Sequence, residues 1–241
     1  MKTVLGVVIN WKRPQNVAKI ANRLAAQCSR VVIVDNSPDE FDCDGFEGDP
    51  FVDDVWRIFN NGGPQVRWLP ALTANEEFVF FVDDDLIPHE NAVERLLAQH
   101  AQLSVRHPVG VIGSHARILD LPKYNYREAM PTAGGVVPVT MTCRLHFLKT
   151  SLLPHVLHMR FDMLKRFSDA HDVELINRHD DIVLCSGLAK IGASHFSVGP
   201  LSDDIPDIAD VGMCERRDHN AERRRMTKMA FDCGWRMTFR I

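Results

Sequence analysis

The chain has 241 residues, 45% of them hydrophobic and 25% charged, with a formal net charge of -4. That supplies ample apolar material for one packed α/β domain or two small ones, and the chain is expected to fold unaided. No apolar run reaches the roughly 18 residues of a membrane-spanning helix, and the six cysteines, at 28, 43, 143, 185, 214 and 233, include no C-x-x-C pair that would signal zinc or redox chemistry.

Charge is distributed unevenly. Residues 39–54 hold eight acids and no base, whereas residues 215–241 hold eight bases against four acids. The basic end is suited to meet an anion. The N-terminal apolar segment stops at Asn10 without a small-residue cleavage site, so it reads as a first strand and not as a leader. The expected location is cytoplasmic, with reduced thiols.

In chain order, Val4–Ile9 and Val31–Asp35 read as buried strands around an amphipathic helix from about Pro14 to Gln27, the proline suiting a first helical turn. Ser37–Pro50 is an acidic, solvated loop; its D-C-D-G piece at Asp42 lacks the distal glutamate of a calcium-binding hand. Asn60, Asn61, Gly62, Gly63 and Pro64 form a turn before Val66–Leu69. Phe78–Val82 is apolar on both faces, as a strand inside a parallel sheet must be. Pro88–Val105 reads as a helix, Val109–Ile118 as one or two strands, and Tyr124–Pro138 as an irregular stretch long enough to shape a substrate site. Further helices are expected over Asp180–Ile191, ended by Gly192, and Asn220–Cys233, ended by Gly234. With no repeat or linker, a single domain over residues 1–241 is the simpler organisation.

The central motif is FVFFVDDDL, in which the buried strand runs into Asp83, Asp84 and Asp85. Open α/β sheets bind ligands beyond the carboxyl ends of their strands. Three neighbouring carboxylates there repel one another, and a divalent cation with oxygen ligands relieves that repulsion. Asp83 and Asp85 form a D-x-D, typical of enzymes that use sugar nucleotides, although Asp-rich loops also serve nucleotidyltransferases and phosphatases or merely cap a helix.

A second carboxylate pair, Asp180 and Asp181, begins the HDDIVLCSGLAKIG helix, where free amides and the helix dipole favour negative charge. One acid there is an ordinary cap; a second points to chemistry, either taking a proton from an acceptor hydroxyl or facing a cationic sugar. In HNAERRRMTKMAF, Arg223, Arg224 and Arg225 cannot share one helix face. One arginine is expected to grip phosphate oxygens while another points away.

Together these segments resemble the exostosin-type N-acetylhexosaminyltransferase domain, a metal-dependent glycosyltransferase of the GT-A fold. VVINWKRPQNV is similar to its first strand and turn, VVIVDNS to its second strand ending in Asn, FFVDDDL to its acid strand, HDDIVLCSGLAKIG to its later acid helix, and GMCERRDHNAERRRM to its closing segment. The resemblance implies an α/β fold with a Rossmann-like, mostly parallel central sheet flanked by helices. It further implies that Asp85 ligates Mn2+ (or Mg2+), with Asp83 and Asp84 holding the ribose and completing the metal environment. Arg13 and Asn36 would face base and sugar; Asn61 and Asp180 are placed with the nucleotide-sugar-binding residues. Asp181 falls on the active-site aspartate and Arg223 on the arginine that meets the diphosphate. The resemblance would make His219 a metal or phosphate neighbour, against the plainer reading of a polar residue at a helix start. The chain departs from the family in having His179 and Met226 where the family has two cysteines, which fits a reducing compartment. Ile9 replaces a glutamine of the first strand.

The implied activity is transfer of a sugar from a UDP-sugar to a hydroxyl acceptor (a glycan, a lipid-linked sugar or another acceptor, polyanionic ones included), with retention. Alternatives from the same residues are an inverting family-2-type transferase, favoured slightly by the N-N-G-G turn, and a metal-dependent nucleotidyltransferase. The non-enzyme alternative is a module binding polyanions through its basic tail.

Overall fold

The computed structural model describes residues 2–37, 44–46, 48–58, 61–205 and 218–238. The expectations at Asp42, Cys43, Asn60, Gly212–Met213 and Cys214 lie outside these residues.

The chain opens β1 (Val4–Asn10), α1 (Pro14–Ala25), β2 (Arg30–Asp35), β3 (Asp54–Arg57), α2 (Trp68–Leu72) and β4 (Phe78–Val82). These build the first half of an eight-stranded sheet in the order β3-β2-β1-β4, all parallel. The second half continues outward from β4 with β11 (Leu145–Lys149), β6 (Val109–Gly113), β12 (Ser194–Val198) and β9 (Val136–Val139). Of these, β11 runs antiparallel to β4 and β6, and β9 runs antiparallel to β12.

The apolar strands end up inside because both faces of the sheet are covered. Val8, Phe78, Phe80 and Val82 face a core closed by α1 and by α3 (Ala92–Leu103). Their alternate neighbours Val7, Ile9, Val79 and Phe81 face the other core. That second core is closed by α4 (Leu153–Arg166), α5 (Ala170–Arg178), α6 (Asp180–Lys190) and α7 (His219–Asp232). α6 is buried from Asp180 to Ala189, the signature of a helix enclosed by protein all round. Gly187 lets α4 approach it: a β-carbon there would lie 3.0 Å from both Met159 Cβ and Val156 Cα.

The helices α1, α6 and α7 fall close to where periodicity and capping place them. Other segments differ. The helix expected from Pro88 begins at Ala92, because Leu86–Pro88 forms β5 and pairs with the distant β13 (Ser202–Asp204). The stretch expected to be irregular, Tyr124–Pro138, contains β8 (Tyr126–Glu128) and the start of β9. β8 is exposed along its length and joins β7 (His115–Leu119) and β10 (Met141–Cys143) in a small second sheet, so no buried alternation announces it. Among the described residues no helix is long and apolar enough to cross a membrane. Cys28, Cys143, Cys185 and Cys233 are free thiols.

Burial pushes the imidazoles of His146, His179 and His195 down, to about 3, about 3 and about 4. The contacts of His195 suit a neutral ring: the Val111 N–H donates to Nδ1 at 3.3 Å, and Nε2 lies 2.8 Å from the Cys185 carbonyl to which it donates. In the unfolded chain these groups take a proton near pH 6.5. Below that pH the unfolded state therefore binds protons the folded state refuses. The contribution to stability is fully present above about pH 6.5 and is lost as the pH falls, by up to about 1.4 kcal/mol per pH unit for each ring. Below about pH 6.5 these rings lower the urea midpoint, while the carboxyls of Asp83 and Asp84, raised by burial to about 6 and about 7, act in the opposite sense; the midpoint of His195→Gln should therefore lose less between about pH 6.5 and about pH 5 than that of the wild type.

Candidate active site

The site forms at the carboxyl edge of the parallel strands. Of the three consecutive acids, the outer two reach solvent and the middle one does not: the side chains of Asp83 and Asp85 are 25% and 29% exposed, that of Asp84 only 5%. Asp84 turns back under β1. Its carboxylate accepts from the Trp11 N–H at 2.6 Å and from the Arg13 guanidinium at 2.8 Å, while Asn16 donates to its carbonyl at 3.0 Å. Arg13 and Asp84, both expected to face the nucleotide, thus meet each other and fix the β1–α1 turn.

Asn36 and Asn61 also meet. The Asn36 amide donates to Asn61 Oδ1 at 3.0 Å, and its oxygen accepts from the Gly62 N–H at 2.8 Å. This holds the glycine turn beside the end of β2.

The two acid groups are joined by a residue that the motif reading did not single out. Arg67, buried at 3% exposure, donates from Nη1 to Asp83 at 2.5 Å and from Nε to Asp180 at 2.8 Å. Burial lowers the basicity of a guanidinium, but the carboxylates of Asp180 and Asp83 outweigh that and hold Arg67 charged above its ordinary value. Its turn is locked from below. Gln65 donates to Asn177 Oδ1 at 2.7 Å and accepts from Arg160 at 2.5 Å. A β-carbon at Gly63, whose φ is +78°, would come within 2.4 Å of the Asn177 carbonyl oxygen. One signal was present in the sequence: an arginine inside the otherwise apolar Val66–Leu69 must bury its charge against an acid.

At the start of α6 the two acids diverge. Asp180 faces Arg67, and its carboxyl is raised by burial and by Asp181, against the pull of Arg67. Asp181 faces α7, accepting from Arg223 Nη2 at 2.6 Å. Burial would raise Asp181, yet Arg223 outweighs it and holds the carboxyl well below the usual carboxylate range. Arg223 in turn donates from Nε to the Tyr124 hydroxyl at 2.5 Å, and Arg117 donates to the same oxygen. Burial pushes the Tyr124 phenol up to about 12, so it stays protonated. Of the other helix arginines, Arg225 turns to Asp172 at 2.5 Å and Arg224 is exposed. The expectation that one arginine points inward and another away therefore holds.

His219 sits on the Arg223 side, its ring centroid 5.8 Å from that of His179. Among the described residues no group of three or more His, Cys, Asp or Glu side chains is placed to hold a metal ion. A hard cation that travels with a diphosphate needs only one or two protein carboxylates, the rest of its shell being phosphate oxygens and water. Asp83 and Asp85 fit that requirement: both reach solvent, and the buried Asp85 Oδ1 accepts no hydrogen bond.

No protein-family model matches the chain, and comparison with curated proteins finds no match. Solved structures are similar in fold. A crystal structure of S. aureus TarS superposes at a TM-score of 0.51 with 17% identity, covering 86% of this chain and 37% of that one. A crystal structure of S. aureus TarS 1–349 in complex with UDP-GlcNAc gives 0.52 and 17%, covering 87% and 60%. This chain thus spans between about a third and three fifths of the matched chains. The architecture is of the GT-A type, a mostly parallel central sheet flanked by helices.

Removing Arg67 leaves the buried Asp180 and the partly exposed Asp83 without their shared counter-charge. Arg67→Ala should lower unfolding stability by about 3–5 kcal/mol in urea titrations, and Arg67→Lys should recover only part, since an ammonium cannot span both acids. Unchanged stability in Arg67→Ala would show that the double pair contributes nothing.

Proposed function

We propose that the protein is a metal-assisted glycosyltransferase, acting as one GT-A-like domain over residues 1–241, that moves a sugar from a UDP-sugar to a hydroxyl acceptor. The observation that carries this reading is the convergence at one sheet edge of two networks that share α6. One runs from Asp83 through Arg67 to Asp180; the other runs from Asp181 to Arg223. The neighbouring fold's occurrence in a complex with UDP-GlcNAc supports the choice of donor.

In this reading Asp83 and Asp85 hold Mn2+ or Mg2+, which supplies positive charge against the departing diphosphate. Arg223 adds a guanidinium to the same leaving group. Asn36 and Asn61, with the turn braced by Arg13 and Asp84, form the wall against which the nucleotide lies. Asp180 fixes Arg67 at the donor side. Asp181 faces the anomeric carbon, where positive charge grows as the bond to the diphosphate lengthens. A carboxylate already paired with a guanidinium at 2.6 Å suits an electrostatic role better than proton acceptance. That favours retention of configuration, as in the exostosin-type enzymes that the sequence resembles. The acceptor would approach from the Tyr124 side, where Arg117 and Tyr126 lie. The free thiols suit a reducing, cytoplasmic setting.

Incubation with UDP-sugars and Mn2+ should release UDP and be abolished by chelation. Asp181→Asn should lower kcat by about a hundredfold or more; because it also leaves the buried Arg223 without its counter-charge, the melting temperature should fall as well, and kcat is compared at a temperature where both proteins are folded. Retained anomeric configuration by NMR supports the assigned role of Asp181; an inverted product makes Asp181 the proton acceptor of a family-2-type reaction. Pyrophosphate release from a nucleoside triphosphate, or polyanion binding without turnover, would replace the proposal altogether.

A further inference from the structure

Arg144 occupies the turn between β10 and β11 with φ +61°, a left-handed conformation that non-glycine residues adopt sparingly and that gathers at functional positions. The conformation serves two contacts with the acid loop. The Arg144 carbonyl accepts from the Asp83 N–H at 3.1 Å. Its guanidinium lies 3.1 Å from Asp85 Oδ1 and 2.7 Å from Asp204 Oδ1. The two acids are unlike: Asp85 is 29% exposed, Asp204 on β13 is 68% exposed. The contact to Asp85 is ionic without a completed hydrogen bond. β13 is tied to the acid loop, the Ile205 N–H donating to the Asp85 carbonyl at 2.9 Å. Arg144 therefore sits between the metal carboxylate and an outer acid that stays within reach.

We propose that Arg144 is an internal counter-cation that holds the metal's place beside Asp85 and withdraws onto Asp204 when the divalent ion arrives with its nucleotide; this rests on the metal-assisted reading above. A guanidinium and a divalent ion cannot share one carboxylate without strong repulsion at such separations. Metal alone must displace Arg144 against that repulsion, and so it binds weakly. A diphosphate brings negative charge that meets the metal and compensates the displaced guanidinium. Metal affinity is thereby made dependent on the nucleotide, a coupling that is reciprocal by linkage. Asp204 serves as the outer partner that lets Arg144 move without losing its counter-charge.

The test is Mn2+ binding to the full chain, read from the free-Mn2+ electron paramagnetic resonance signal, with and without UDP. Without UDP, Arg144→Gln should bind Mn2+ roughly tenfold more tightly than the wild type, and Arg144→Lys should stay within roughly twofold of it. Damage to the fold would weaken binding, not tighten it. A wild type that binds Mn2+ with UDP, beside an Arg144→Gln that binds no tighter without UDP, overturns the proposal and leaves the metal reading intact. No Mn2+ binding by the wild type with UDP overturns both. Asp204→Asn decides the matter independently, should Arg144→Gln fail to fold: with Arg144 left to Asp85 alone, Mn2+ affinity in the presence of UDP should fall several-fold, and an unchanged affinity would overturn the proposal.

Discussion

The arrangement of the site depends on one buried guanidinium. Arg67 joins Asp83, at the end of a central strand, to Asp180, at the start of an enclosed helix. Taking the Arg67 and Asp180 charges out of water is costly, and the geometry of a planar fork offsets that cost only while both acids are in place. Such a contact is therefore position-specific in a way that apolar packing is not. It sets how far α6 stands from the acid loop, and so where Asp181 lies relative to Asp83 and Asp85.

From that anchor the charges alternate. Asp181, next in the chain, is compensated by Arg223, and Arg223 and Arg117 both donate to the Tyr124 hydroxyl. The free amides at the start of α6 add partial positive charge behind both acids. Each carboxylate thus has a cation chosen by the fold. In the proposed transfer reaction such charges would be arranged before substrate arrives, which is where most of the advantage of a protein environment over water resides.

The three consecutive aspartates divide their work by direction. Asp84 points beneath the sheet edge and fixes the β1–α1 turn through Trp11 and Arg13. Asp83 and Asp85 flank it and reach solvent, each beside an arginine, Arg67 and Arg144. One acid braces the scaffold while its neighbours lie at the surface of the loop. Both outer acids are also tied to more distant backbone: the Asp83 N–H donates to the Arg144 carbonyl and the Ile205 N–H to that of Asp85. The acid loop is consequently held on several sides by segments remote in sequence.

Local patterning determined a good deal of this protein. The doubly apolar runs Val4–Ile9 and Phe78–Val82 announced buried parallel strands, the second of them ending in the acids at the carboxyl edge of the sheet, and the crowding of arginines on α7 announced that only part of them could face inward. Each of these is written within a few consecutive residues, because strand and helix periods are short. The pairings that complete the site are not. Nothing adjacent to Arg67 tells that it will meet Asp83 and Asp180, nothing near Leu86–Pro88 tells that Ser202–Asp204 will pair with it, and Arg13 and Asp84 reveal their mutual contact only once β1 and β4 lie side by side. The sequence by itself specified which residues carry charge and which elements carry them; the tertiary structure decided which charge faces which, because buried ion pairs are chosen by distances between segments that the chain brings together only on folding.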